Sequence, residues 1–267
     1  MPVSPPKSSV LGLLDEDHLH ALASEAVDRR GALRRAGALG AHALLTSVPL
    51  ALASAVRSVF GQATPPTVTE VLNFALTLEY LEAEFYRQLN ASGVPSSREQ
   101  VVFEAIAAHE QAHVDFLRAT LGADAVAAPT FDFTAGGLFD PFNPDRIGPD
   151  PDYLKLAQAF EDLGVRAYKG QVANLLGTDV LDAALRIHSV EARHAAFVRS
   201  LRSFDPWINR AENTTAVPAF DAVYRGEDEQ RQFVRAINLR VNINLPDAYD
   251  EPLTGEEVVA VLDRFIV

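Results

Sequence analysis

The chain has 267 residues, 48% of them hydrophobic, a net charge of −13 and no cysteine. There is enough apolar material for a sizeable core, and the acidic balance argues against nucleic acid or an anionic membrane surface as a partner. The missing thiols exclude disulfides, thiolate zinc sites, iron–sulfur clusters and cysteine nucleophiles.

Residues 1–28 are polar, with an acidic cluster at Asp15, Glu16 and Asp17 around His18 and His20. It reads as a solvated helix start rather than a cation site. Arg29-Arg30 then precede a mostly apolar run from Ala36 to Ala55, in the pattern of a twin-arginine export signal, with Ala51-Leu52-Ala53 as a small-residue cleavage site. Export to a periplasmic or extracellular location is the expectation. The alternative is a retained amphipathic helix packed on the main domain or on a neighbouring subunit of a homo-oligomer, in a protein that stays cytoplasmic. No stable membrane span is expected, because the run holds Gly, Ser, Thr, His42 and Pro49.

From residue 67 the helix signals sharpen. Thr67-Val-Thr-Glu70 is a capping box opening an apolar-periodic segment to Leu89, and Ser96-Ser-Arg-Glu99 is a second, opening a helix that runs to Leu121 with Gly122 as its stop. The short link between them predicts antiparallel neighbours. Residues 122–150 hold too many Pro and Gly for a long helix, while Phe131, Phe133, Phe139 and Phe142 need burial, which predicts a crossover strapped to a bundle by its phenylalanines. Asp150 as N-cap and Pro151 at the first helical position open a third helix ending near Gly177; a fourth runs from about Thr178 to Arg202. In the tail, Val241, Ile243 and Leu245 alternate as in a short extended piece, and Thr254-Gly-Glu-Glu257 caps a last helix. The expected organisation is an extension at 1–66, a four-helix bundle with one long crossover at 67–203, and a C-terminal extension at 204–267 that covers the bundle.

Two E-x-x-H motifs fall on the even helices, Glu110-Gln-Ala-His113 and Glu191-Ala-Arg-His194. Positions i and i+3 share a helix face, so carboxylate and imidazole reach one cation. On the odd helices Glu79 precedes Tyr86 by seven residues, and Glu161 precedes Tyr168 by seven. Each pair shares a face that is otherwise apolar, where a carboxylate is costly unless paired or metal-bound. The spacings repeat: Glu79 to Glu161 is 82 residues, while Glu110 to Glu191, His113 to His194 and Arg118 to Arg199 are each 81. The chain thus carries two copies of one helix pair, and six potential ligands meet at mid-bundle.

These residues resemble the ferritin-like dinuclear carboxylate proteins, and Leu72 to Tyr86 together with Asp250 to Glu257 is similar to the branch that includes desiccation-related proteins. The resemblance implies an all-α ferritin-like bundle in which Glu79, Glu110, His113, Glu161, Glu191 and His194 bind two metal ions. It implies Glu110 and Glu191 as bridges, and Tyr86 and Tyr168 as hydrogen-bond donors to the ligands. Glu82, one turn beyond Glu79 and matched by Gly164, is a seventh ligand, a proton relay or a solvent-facing side chain. His188 is a weaker candidate for a supporting role, and His109 reads as a helix-flank residue.

Mixed carboxylate and imidazole donors suit iron or manganese ahead of zinc. Four carboxylates balance two divalent ions, which suits chemistry with a small-molecule oxidant, peroxide or dioxygen: catalase-like, oxidase-like or ferroxidase-like. The competing expectation is a protective or structural protein whose metals only stabilise the bundle. An iron-storage shell fits the long extensions less well. No phosphate-binding glycine loop, nucleophile elbow or dinucleotide fingerprint is present.

Overall fold

The computed structural model describes residues 66–234, 239–242 and 246–267. The export-signal-like segment and the His18/His20 cluster lie outside them. Helices α1 (Val68–Ser92) and α2 (Ser97–Leu121) form one hairpin, α3 (Asp152–Leu175) and α4 (Leu181–Leu201) a second. Within each hairpin the helices pack along their length, and α1 packs on α3 to join the two.

Both expected capping boxes close. The Thr67 hydroxyl accepts from Glu70 N at 3.2 Å while Glu70 Oε2 accepts from Thr67 N at 2.7 Å, and Ser96 and Glu99 do the same for α2. These bonds satisfy amide protons that a helix start leaves without partners. The start of α3 differs from expectation: its N-cap is Pro151, and Asp150 instead accepts from Arg202 Nε and Nη2 at 2.9 and 2.8 Å. A charged partner from the end of α4 outcompetes the backbone amides. Helix α4 begins at Leu181, about one turn later than Thr178, whose hydroxyl donates to Leu175 O.

The long connection between hairpins holds two 3₁₀ turns, Gly122–Asp124 and Pro144–Arg146. Phe133 and Phe139 are buried and Phe131 and Phe142 partly so, against the bundle core. Phe85 meets Phe133 and Phe160 edge-on with centroids 5.3 Å apart in each case. Edge-to-face pairs of this kind add to the burial of the rings themselves. The tail adds Phe220 and Phe265, the latter 5.0 Å from Phe160.

Beyond α4 come a short helix α5 (Asp221–Tyr224), an antiparallel pair of strands β1 (Arg231–Val234) and β2 (Leu239–Asn242), and α6 (Gly255–Leu262), capped by Thr254 and Glu257. The extended piece expected at Val241 is β2; Ile243 and Leu245 lie outside the described residues. Two seams hold the tail. Leu253 N donates to Arg166 O at 3.2 Å and lies so close to α3 that a Cβ on Gly170 would stand 2.0 Å from Leu253 O. Asp132 N donates to Phe265 O at 2.7 Å and Val267 N to Thr130 O at 3.0 Å, stitching the chain end to the crossover. No described helix is long and apolar enough to cross a membrane.

Candidate metal centre

The duplicated glutamates lie at mid-helix, and the bundle brings them to one level. Glu79, Glu110, Glu161 and Glu191 are all 0% exposed, and His194 is buried. Four of the predicted residues, Glu79, Glu110, His113 and Glu191, present donor atoms within 4.8 Å of one another; Glu110, Glu161, Glu191 and His194 form a second such group. Glu110 and Glu191 belong to both. Each group offers three carboxylates and one imidazole, and two of the carboxylates are common to both.

Both histidines turn Nδ1 inward. His113 Nδ1 is 3.0 Å from Glu110 Oε2, 3.1 Å from Glu79 Oε2 and 3.4 Å from Glu191 Oε1. His194 Nδ1 is 2.7 Å from Glu110 Oε1 and 3.4 Å from Glu161 Oε2. His194 Nδ1, Glu110 Oε1, Glu161 Oε2 and both Glu191 oxygens are nevertheless buried without a hydrogen bond. Lone-pair atoms crowded together in this way fit a shared cation, which would satisfy all of them at once.

The tyrosines act across the bundle. Tyr86 of α1 donates to Glu161 Oε1 of α3 at 2.5 Å, and Tyr168 of α3 donates to Glu79 Oε1 of α1. The crossed bonds make α1 and α3 antiparallel and hold each odd-helix glutamate by its outer oxygen, leaving the other for the centre. Both hydroxyls are held well above their usual pKa, first by burial and then by the carboxylates they touch, so they remain donors.

Burial raises Glu79 to about 8, and raises Glu161 and Glu191 as well. Burial also opposes charge on Glu110, but the imidazoles of His113 and His194 outweigh it and hold that carboxyl at about 2. In return, burial disfavours the imidazolium form, yet the carboxylates around them lift both histidines to about 10. The same atoms that would hold cations thus also bind protons, and metal binding would release those protons.

The structure also places three further residues near the cluster or outside it. Glu82 is not solvent-facing: it is 1% exposed, one turn along α1 from Glu79. His109 is more than a flank residue, for its Nδ1 lies 2.9 Å from Nε2 of His194 and the two ring planes are 6° from parallel. It thus supplies the partner that a ligating histidine needs on its second nitrogen. The only sequence hint is its position directly before Glu110, since the contact reaches across to another helix. His188 joins neither group of converging donors. His113 and His194 of the cluster line a surface groove between α2 and α4, with Val101, Ile106, His109 and Phe197 beside them.

Fold and site together define a class: four-helix bundles with a buried carboxylate–imidazole cluster compatible with metal ions. Residues 67–203, just over half of the chain, match the family model of the ferritin-like domain. The chain belongs to the ferritin-like family. No curated protein matches it by sequence.

Proposed function

We propose that the chain is a dinuclear iron or manganese protein acting as an oxidoreductase on peroxide or dioxygen. The observation that carries this reading is the pair of overlapping donor groups that share Glu110 and Glu191. Glu79 and His113 would complete one metal position, Glu161 and His194 the other. Two such ions would supply two-electron exchange with a small oxidant. The protein's own part is positional: Tyr168 and Tyr86 orient Glu79 and Glu161, and His109 Nδ1 shares a hydrogen bond with His194 Nε2 while Nδ1 of His194 faces the centre. Burial excludes bulk water from the carboxylates, and the groove beside His113 gives a small molecule its approach. An N-terminal twin-arginine-like signal would export the protein.

The test compares wild-type protein with Glu110→Ala. Elemental analysis of natively purified wild type is expected to give two transition-metal ions per chain, with turnover of hydrogen peroxide or dioxygen that the variant loses. Protein that neither contains nor takes up iron or manganese would remove the metal reading. Metal-loaded wild type that turns over no faster than the variant would leave a second reading. There, the ions only stabilise the bundle of a protective protein akin to the desiccation-related branch; full burial of all four glutamates favours it.

A further inference from the structure

A fifth carboxylate stands beside the four, outside both groups of converging donors. Glu82 is 1% exposed, and neither of its oxygens has a hydrogen-bond partner. It projects toward Gly164: a Cβ added there would lie 3.1 Å from Glu82 Oε1 and 2.7 Å from Glu191 Oε2. Any side chain on α3 at this point would displace one or both carboxylates. The position has no side chain, and the two carboxylates converge in the space.

An unpartnered buried carboxylate is costly if charged, and it is retained only where something compensates it. No described protein group does so for Glu82. Burial first, and then the charges of Glu110, Glu161 and Glu79, hold its pKa well above the usual carboxylate range. Removing Glu82 would therefore stabilise a bundle that had no cation to hold.

We infer that Glu82 is a seventh protein ligand of the dinuclear centre, admitted by the missing side chain at Gly164. This rests on the two-metal reading above. The matching position of the second hairpin offers no carboxylate, so the two ions have unequal ligand sets. Five carboxylates also exceed the charge of two divalent ions by one, and match one divalent with one trivalent ion. Glu82 thus favours an oxidised level at one of the two positions.

Glu82→Gln keeps the shape and removes the charge, and Glu82→Asp keeps the charge on a side chain one methylene shorter. Wild type loaded with isotopically enriched iron is expected to show two distinct Mössbauer quadrupole doublets. Glu82→Gln should alter one of them and weaken binding of one ion by about tenfold or more, with the other ion unaffected. Glu82→Asp should shift the same doublet, and decides the matter should the amide variant fail to fold. Variants that bind both ions with wild-type affinity and give the wild-type spectrum overturn the seventh ligand while the six-ligand centre stands. Wild type that takes up neither iron nor manganese overturns both.

Discussion

At three positions on α1 the first hairpin has Tyr80, Glu84 and Gln88; at the matching positions of α3 the second has Asp162, Arg166 and Gly170. Glu84 pairs with Arg87 on its own helix at 2.6 Å. Arg166 instead reaches out of the bundle, donating to Val223 O, to Arg225 O at 2.8 Å and to Glu251 O at 2.7 Å, and pairs with Glu227 at 2.7 Å. Asp162 accepts from Arg199 at 2.9 and 2.7 Å and from Tyr224 at 3.0 Å. Arg118, the counterpart of Arg199 in the first hairpin, is exposed. The tail lies on α3 and α4, and every one of these differences is a device for holding it. Tyr86 and Tyr168, meanwhile, keep the same role on the inner face. In a duplicated hairpin the face that holds the centre and the face that holds the rest of the chain can change independently.

That comparison breaks most visibly if the centre does not dominate the response to pH. Glu79, His113 and His194 all bind protons more tightly in the metal-free fold than in the unfolded chain, with folded values of about 8, 10 and 10 against ordinary values of 4.5, 6.5 and 6.5. Their contribution is complete below the ordinary values and is lost as pH rises through the folded ones. Glu110 works oppositely, but only as pH falls from 4.5 toward about 2. Thermal unfolding of chelator-treated protein should therefore show Tm falling steadily from pH 5 to 10, by more than any substitution below produces. Metal-loaded protein should lose much less over that range, and a flat metal-free profile contradicts the account.

The outer faces give the next contrasts. Arg199→Ala strands the buried carboxylate of Asp162 and should cost about 3–5 kcal/mol in denaturant titrations, whereas Arg118→Ala should stay within about 0.5 kcal/mol. Gly170→Ala drives a Cβ into Leu253 O and should cost about 1–3 kcal/mol by the same measurement, against little change for Gln88→Ala. Equal effects within either pair would mean that the tail does not distinguish the hairpins. The smallest effect sharpens the shared face. Tyr86→Phe and Tyr168→Phe each leave one glutamate oxygen without its donor and should cost about 1 kcal/mol apiece, with matching values.

Much of this was legible in the residues themselves. Capping boxes at Thr67, Ser96 and Thr254 combine a local hydrogen-bond pattern with a fixed three-residue spacing, so each helix start is written within four residues. The donor groups were legible because a repeat of 81 or 82 residues and a shared helix face are both properties of spacing. Contacts made between distant segments were not. Asp150 reads as an N-cap until Arg202 arrives from the far end of α4. Arg166 and Gly170 look like ordinary helix positions until Leu253 and Glu251 pass over them. His109 has no apolar periodicity to mark it, and only the approach of α4 gives its Nδ1 a partner.

The gap in side chain at Gly164 also bears on how such a bundle can be assembled. Two identical hairpins, paired as α1–α2 is paired with α3–α4, would reproduce the four glutamates, both histidines and the crossed tyrosine bonds. They would equally place a second glutamate where Gly164 now stands, in space already occupied by the carboxylates of Glu82 and Glu191. Side chains would have to shift, and like charges would meet, in that symmetric pairing. With both hairpins on one covalent chain, the two positions are free to differ, and a single acidic residue can occupy space that a true dimer would have to share between two.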